Sequence, residues 1–210
     1  NQQAYKRLKA ACAGAVEREM LRSNPVKIKE AGKRVETKEK YLPTDDEIAA
    51  ILDNVNERYR ALTSLMLHHG LRIGEAIALE RDDVRVEHQP GAPLPRVTVR
   101  VKQNAQRISG KGGTYMLVQP PKTKAGYRDV PIMAADVPIF LEHLEKYAPT
   151  SSTVVQTSEG ERSAVLFTVT NAGRMVMDTS YRSVLARAKE RAGVSPDIDP
   201  HTGRNWLITR

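Results

Sequence analysis

The sequence predicts an α+β protein that is mostly helical and contains a small antiparallel sheet of three strands. Apolar residues recur at helical spacing through most of the 210 residues. Near Val97, Val99 and Val101 the spacing changes to strict alternation, which is typical of a half-buried strand. A charged stretch at residues 26–41 is poor in large apolar side chains and separates an N-terminal helix from the rest. We therefore expect a helical segment, a basic linker and an α+β domain.

The charge balance narrows the class of partner. The chain carries 33 Lys and Arg against 25 Asp and Glu, a net charge of +8. Residues 1–41 hold eleven of the basic and five of the acidic residues, whereas the remaining 169 residues hold 22 and 20. This excess favours a polyanionic partner. The single Cys12 excludes an internal disulfide and a multi-cysteine zinc site, and it fits a reducing cytoplasm. We expect neither a membrane span nor a signal peptide.

Residues 1–22 read as one helix that ends at Ser23-Asn24-Pro25, because the residue before a proline is pushed out of the helical region. Its apolar stripe consists of Leu8, Ala11, Cys12, Ala15, Val16 and Met20. Twenty-two residues do not supply a surface to cover that stripe. We expect a helical domain to precede it, and the absence of an initial Met fits a chain that belongs to something longer.

Two helices should meet at Gly70 in the first part of the α+β domain. Thr44 with Glu47 three residues later forms a capping-box pattern that starts this domain near residue 41. A helix covering residues 62–69 should stop at Gly70, which takes the left-handed conformation without a steric penalty. We expect Arg72 in the first turn of the next, buried helix, with Glu75 three residues on as its partner.

The later elements follow from changes in periodicity. Residues 80–95 are predicted to be a polar turn and a Pro-rich loop, and residues 149–163 a Ser/Thr-rich loop. Pro200 suits a first helical turn, and His201 and Arg204 are three residues apart and share a helix face. The predicted strands cover residues 97–101, 115–118 and 127–132, and the predicted helices cover residues 137–147, 179–192 and the segment after 199.

Three boxes, GLRIGEAIAL (70–79), PKTKAGYRDVPI (121–132) and HTGR (201–204), occur in an order that resembles the catalytic domain of the tyrosine recombinases, the phage-integrase family. The second and third boxes look most like those of actinobacterial phage or mobile-element integrases. The resemblance implies three parts. Residues 42–210 would be the catalytic domain, residues 25–41 a basic linker, and residues 1–24 the last helix of a core-binding domain.

By this resemblance, Arg72 and Arg204 would bind the scissile phosphate, and Glu75 would hold Arg72. Lys122 would donate a proton to the departing 5′ oxygen, and His201 would assist proton transfer. The chemistry agrees, because fixed cations are most effective where negative charge develops in the transition state. Imidazole exchanges protons near neutral pH, and a lysine ammonium can act as a general acid.

The lysine assignment has competitors, and the nucleophile lacks a candidate. Lys124 and Lys111 lie near Lys122, which we prefer on its position in the box. The family's nucleophilic tyrosine follows the His-x-x-Arg box. All seven tyrosines of this chain precede that box; they are Tyr5, Tyr41, Tyr59, Tyr115, Tyr127, Tyr147 and Tyr181. We therefore expect the nucleophile beyond Arg210 and expect this chain to bind DNA without cleaving it.

The resemblance further implies double-stranded DNA attachment sites as substrate, a homotetramer on DNA, and accessory DNA-bending or directionality proteins. It implies neither a cofactor nor a metal. It also implies a location in the bacterial cytoplasm, associated with the nucleoid. Three alternatives stay open. The chain could be a DNA-binding module without chemistry, a topoisomerase of the related type IB class, or a metal-dependent nuclease or transposase using Glu80, Asp82 and Asp83.

Overall fold

The structure is a computed structural model in which the chain divides into two compact units, residues 1–39 and residues 40–210. We describe each unit by itself. For residues 154–157 and 160–163 the description is limited to strand pairing. The described residues are 2–28, 41–110, 113–148, 154–157, 160–163, 166–168 and 175–209.

The first unit contains helix α1 (Gln2–Glu17), which ends five residues before the predicted end at residue 22. The Asn24 side chain donates to the carbonyl of Lys9 at 2.9 Å, so the segment after the helix folds back along it. Leu8 and Met20 of the predicted stripe are 57% and 73% exposed. A preceding helical domain that would cover them stays a prediction. Most of the predicted linker, residues 29–40, lies outside the described residues.

Among the described residues of the second unit there are six α-helices. Thr44 caps the first of them as predicted, because its hydroxyl accepts the Glu47 N–H at 3.2 Å and its own N–H donates to the Glu47 carboxylate at 2.9 Å. Gly193 ends the fifth with φ +66°. None of the described helices has the length and apolar character needed to cross a bilayer. The helices are α2 (Asp45–Asn54), α3 (Glu57–Leu67), α4 (Ile73–Ile77), α5 (Val137–Lys146), α6 (Asp178–Ala192) and α7 (Thr202–Thr209).

The described part of the second unit contains seven strands in two small sheets. The first sheet is antiparallel in the order β1-β2-β5, and the second has the order β3-β4-β6-β7 with a parallel pairing between β4 and β6. The strands are β1 (Val84–Glu87), β2 (Arg96–Val101), β3 (Asn104–Gly110), β4 (Gly113–Gln119), β5 (Arg128–Pro131), β6 (Val154–Thr157) and β7 (Gly160–Ser163).

The predicted α+β class is confirmed, but the predicted strand partnership is wrong. The strand predicted at 115–118 pairs with β3 in the second sheet, and the first sheet is completed by β1. β1 lies in the predicted turn at 80–95, where Val84 and Val86 alternate with charged residues for only four positions. The predicted loop at 149–163 contains β6 and β7. Strands of four residues give too short a pattern to detect by alternation.

The core lies where α2, α3 and α6 pack together, and the buried valines of β2 belong to the same cluster. Ile48, Leu65 and Tyr181 are fully buried there. The Tyr181 hydroxyl donates to Thr63 Oγ1 at 3.0 Å, so even this buried phenol is hydrogen-bonded. This core fixes α3 firmly, and the candidate site is built at its C-terminal end.

Candidate functional site

The joint between α3 and α4 is built around Gly70. Its φ is +64°, the left-handed conformation that the sequence predicted. A Cβ added at Gly70 would lie 3.1 Å from Leu207 Cδ2 and 3.4 Å from Arg204 Cα, so α7 packs directly on this turn. The N–H of Leu71 closes the turn by donating to the Leu65 carbonyl at 3.0 Å. Both the backbone angle and the close approach of α7 therefore require glycine at this position.

Arg72 follows this turn, and its position differs from the prediction. It is the residue before α4 rather than part of the first helical turn, and its side chain is 51% exposed. Its Nη1 donates to Glu75 Oε1 at 2.9 Å, and its backbone N–H donates to Glu75 Oε2 at 2.9 Å. Glu75 is 8% exposed. The predicted pair is present, but the guanidinium is held at the surface by a buried carboxylate.

Arg128 is a second partner of Glu75 that the sequence analysis missed. Its Nη2 donates to Glu75 Oε2 at 2.8 Å and its Nη1 to Oε1 at 3.3 Å. Burial alone would raise the pKa of Glu75, but hydrogen bonds from Arg128 and Arg72 outweigh it and hold that pKa below its ordinary value. Arg128 lies inside the PKTKAGYRDVPI box, yet no local spacing rule connects it to a residue 53 positions earlier.

Arg72 and Lys122 line the same cavity, which has a volume of about 470 Å³. Gln103 and Asn104 form part of its polar wall. The lysine loop is compact, because a Cβ on Gly126 would collide with Pro121. Of the two competing lysines, Lys124 is exposed and lies outside this lining, and Lys111 lies outside the described residues.

The start of α7 is fixed by its own polar turn. Asp199 Oδ1 accepts the His201 N–H at 2.7 Å and the Thr202 hydroxyl at 3.0 Å. Gly203 packs against the end of α3, where an added Cβ would collide with the backbone of Met66 and Leu67. The fourth residue of the box, Arg204, is therefore carried on a helix that is pressed onto the Gly70 joint.

The packing limits the separation of the two arginines. Two virtual bonds of 3.8 Å place the Cα of Arg72 at most about 7.6 Å from that of Gly70. Arg204 Cα lies 3.4 Å from the position of a Cβ on Gly70. The two arginine Cα atoms are therefore within about 13 Å of each other. That is a distance across which two extended arginine side chains can reach one anionic group.

His201 is the predicted residue with the weakest structural support. It is exposed and precedes α7, and its carbonyl accepts the Arg204 N–H at 3.2 Å. Within the described part of the chain, its hydrogen bonds stay inside its own turn. His201 lies three residues before Arg204, and the described residues show no contact between its ring and Arg72 or Lys122.

A buried cluster that the sequence analysis did not identify secures α7 further. Trp206 lies against the ring of His68, with centroids 5.9 Å apart. His68 Nδ1 is 2.8 Å from Asp136 Oδ2, and Asp136 is 2% exposed. Burial alone would raise the pKa of Asp136, but the His68 hydrogen bond and the charges of His68 and His69 hold it below its ordinary value. This cluster joins α3, α7 and the turn before α5.

The acidic residues of the metal-dependent alternative are occupied otherwise. Lys102 Nζ lies 2.7 Å from Asp83 Oδ1 and 3.1 Å from Glu80 Oε2. Asp82 is exposed on the adjoining turn. Among the described residues, the structure contains no group of three or more metal-ligating side chains. A lysine that neutralises two of the three carboxylates argues against a divalent-metal site here.

Comparison with known families agrees with the three boxes. Residues 42–210 match the model of the phage integrase family. The chain belongs to this family. Among its relatives, the prophage phiRv2 integrase of Mycobacterium tuberculosis is 26% identical over 202 residues, which cover 96% of this chain and 48% of the relative. The tyrosine recombinase XerD of Corynebacterium glutamicum is 31% identical over 155 residues, which cover 74% of this chain and 40% of the relative.

Solved structures of an integrase and a recombinase have the same fold as this chain. An integrase of the Tn1549 transposon, in complex with a circular intermediate DNA, superposes with a TM-score of 0.77 at 20% identity. The match covers 99% of this chain and 65% of that one. XerA recombinase superposes with a TM-score of 0.52 at 15% identity over 98% of this chain and 60% of that chain. The chain spans about half the length of the curated relatives it matches.

Proposed function

We propose that this chain carries the phosphate-binding part of the active site of a site-specific DNA recombinase, an integrase that inserts or excises phage or mobile-element DNA. The observation that carries the proposal is the placement of Arg72. It is fixed by Glu75, shares a cavity with Lys122, and lies two residues from the turn on which the Arg204 helix is packed. Family membership supports the reaction class.

The proposed reaction transfers a DNA phosphodiester to a tyrosine. An attacking tyrosine oxygen forms a bond to phosphorus and loses its proton, and the bond from phosphorus to the 5′ oxygen breaks. Lys122 protonates the departing oxygen, giving a 3′-phosphotyrosine and a free 5′-hydroxyl. Arg72 and Arg204 stabilise the extra negative charge of the pentavalent transition state, and His201 assists proton transfer. Attack by a new 5′-hydroxyl reverses the step and rejoins the strands.

We assign the parts of the chain accordingly. Residues 42–210 form the catalytic domain, residues 25–41 a basic linker, and residues 1–24 the last helix of a core-binding domain. The substrate is a double-stranded attachment site, on which full-length protomers assemble as a tetramer in the bacterial cytoplasm. The phosphotyrosine conserves the energy of the phosphodiester bond, so the reaction proceeds without ATP, and side-chain cations supply the charge that a metal would otherwise supply.

Arg72 provides the direct test. In the full-length protein, Arg72→Ala is expected to lower the rate of covalent protein–DNA adduct formation by about 100-fold or more, because it removes one fixed donor to the developing charge. The matched control is Arg85→Ala in β1, because the Arg85 side chain is 58% exposed. Adduct on a nicked attachment-site duplex is quantified by denaturing gel electrophoresis. Unchanged cleavage by a folded Arg72→Ala protein would falsify the assignment and leave a DNA-binding module or another chemistry.

Two further assays separate the remaining alternatives. Adduct formation in excess chelator is expected to persist, whereas DNA cleavage by a metal-dependent nuclease would be lost. Two attachment sites on one supercoiled plasmid are expected to recombine. Relaxation of the supercoils without recombination would instead favour the topoisomerase alternative.

A further inference from the structure

Arg128 occupies a place in the structure that the proposed reaction does not explain. It begins β5 immediately after the lysine loop, and its guanidinium reaches the carboxylate that holds Arg72. We propose that Arg128 is a positioning residue that ties the Lys122 loop to Arg72 through Glu75. The expected effect of Arg128 on catalysis rests on the proposed function. The structural link between the lysine loop and Arg72 rests only on the contacts that Arg128 makes.

The first step is the bridging carboxylate. Glu75 Oε1 accepts from Arg72 Nη1 at 2.9 Å and from Arg128 Nη1 at 3.3 Å. Glu75 Oε2 accepts from the Arg72 N–H at 2.9 Å and from Arg128 Nη2 at 2.8 Å. A carboxylate has about four acceptor positions, and all of them are used here. One anion therefore orients two guanidinium groups, and the local charge stays positive.

The second step is the contact with the loop. Arg128 Nη1 also lies 3.4 Å from the carbonyl oxygen of Gly126, which lines the same cavity as Lys122. The loop ends in a 3₁₀ turn (Lys124–Gly126) that begins two residues after Lys122. In this turn the Gly126 N–H donates to the Thr123 carbonyl at 3.0 Å and the Tyr127 N–H donates to the Lys124 carbonyl at 3.1 Å. The rigid, planar guanidinium of Arg128 thus contacts both Gly126, at the end of this turn, and Glu75, which holds Arg72.

The third step is the rigidity of the base on which Arg128 is mounted. Its backbone pairs with Val101 of β2 in the antiparallel register. Glu75, at the other end of the contact, lies in α4, which packs on β3 of the second sheet. The approach is so close that a Cβ on Gly74 would collide with Asn104 and would lie 2.6 Å from the Ala105 carbonyl oxygen. The backbone is therefore well packed at both ends of the Arg128–Glu75 contact. Because this backbone cannot shift to compensate, a substitution of Arg128 alters the positions of the lysine loop and Arg72.

The competing explanation is that Arg128 only neutralises a buried carboxylate. Arg128→Lys separates the two explanations, because it keeps the charge but loses the planar fork that reaches Glu75 and Gly126 together. Arg128→Gln removes both. The matched control is Arg100→Gln, an exposed residue of β2 opposite Asp129 in the same sheet.

Hydrogen exchange of the 210-residue chain provides the structural readout. With the positioning role, Arg128→Lys and Arg128→Gln both raise the exchange rates of the Gly126, Tyr127 and Arg72 amides by about 10-fold or more. The amides of α6 and all amides of Arg100→Gln are expected to keep their wild-type rates. Wild-type rates at Gly126 and Tyr127 in a folded Arg128→Lys chain would overturn the proposal. If Arg128→Gln does not fold, the Arg128→Lys comparison decides alone.

The kinetic readout uses the full-length protein and distinguishes this proposal from the proposed function. Arg128→Lys is expected to lower the cleavage rate of bound DNA by about 10-fold while the Kd for DNA changes less than two-fold. An unchanged cleavage rate would overturn the positioning role in catalysis. If the wild-type protein itself forms no adduct but the exchange coupling is present, then the proposed function fails and the structural link between the loop and Arg72 stands.

Discussion

Two buried histidines illustrate how burial sets chemistry at the scale of single residues. His69 Nε2 accepts the Met133 N–H at 3.0 Å, so its Nδ1 carries the proton and donates to the Ser64 carbonyl at 3.1 Å. His143 Nε2 donates to the Leu166 carbonyl at 3.1 Å. Burial lowers the pKa of both imidazoles below the ordinary value of 6.5. For His69, the charge of Asp136 opposes this shift without cancelling it.

The direction of these shifts predicts a pH dependence of stability. A lowered folded pKa means that the unfolded chain binds more protons below pH 6.5. The free energy of unfolding is therefore expected to be highest above pH 6.5 and to fall as the pH falls below it, toward the folded pKa values. Urea denaturation at pH 7.5 and pH 5.5 measures the difference. His143→Phe should shrink that difference, whatever it does to stability at pH 7.5, and an undiminished difference would contradict the prediction.

The His68–Asp136 contact yields a second prediction at this scale. Replacing His68 by Ala leaves the Asp136 carboxylate, which is 2% exposed, without its 2.8 Å partner. An unsatisfied buried acceptor costs about 1–3 kcal/mol, so the free energy of unfolding is expected to fall by that amount. His88→Ala, on the exposed loop after β1, is the control and is expected to change stability by less than about 0.5 kcal/mol. An equal effect of both substitutions would refute the structural role of His68.

At the scale of elements, the docking of α7 depends on the absence of a side chain at Gly203. A Cβ there would meet the backbone of Met66 and Leu67, which cannot rotate away as a side chain could. Gly203→Ala is therefore expected to displace α7 and to cost about 1–3 kcal/mol of stability. Gly110→Ala is the matched control, because a Cβ there has open space around it. Urea denaturation of the two variants tests the prediction, and equal stabilities would disprove it.

The elements also show which parts of the fold the sequence could predict. Helix α2 begins at the capping box predicted for Thr44, and helix α6 ends at residue 192 as its periodicity predicted. The pairing of β4 with β6 joins residues that are 39 positions apart, as in Leu117 with Gln156, so the local pattern did not reveal it. The same distinction holds in the site. The spacing of Arg72 and Glu75 predicted their contact, whereas Arg128 joins them only through the folding of a distant strand.

For the molecule as a whole, the candidate site draws its residues from three separated segments. Gly70 and Arg72 come from the joint between α3 and α4, Lys122 from the loop before β5, and Arg204 from α7. Their order in the sequence predicted the family. The packing of α7 on the Gly70 turn then brings Arg204 close to the segment that carries Arg72. The role of His201 stays a prediction, because its side chain is exposed and, in the described structure, its hydrogen bonds are made by its backbone N–H and carbonyl.

The uneven distribution of charge along the chain leads to the last prediction. Residues 1–41 carry eleven Lys and Arg against five Asp and Glu, whereas residues 42–210 carry 22 against 20. Each phosphate contact made by a cation lowers the slope of log K against log salt concentration by about 0.9. If half of the eleven cations contact phosphates, then removing residues 1–41 makes the slope shallower by about 5.

Fluorescence anisotropy of an attachment-site duplex, titrated with the whole chain and with residues 42–210 between about 50 and 200 mM salt, measures both slopes. The shorter chain should keep a residual slope, because Arg72, Lys122 and Arg204 belong to it. Equal slopes for the two chains would place all phosphate contacts in residues 42–210 and would contradict a role for the N-terminal cations in DNA binding. A flat dependence for both would contradict DNA binding through phosphate contacts altogether, since such contacts necessarily release counterions.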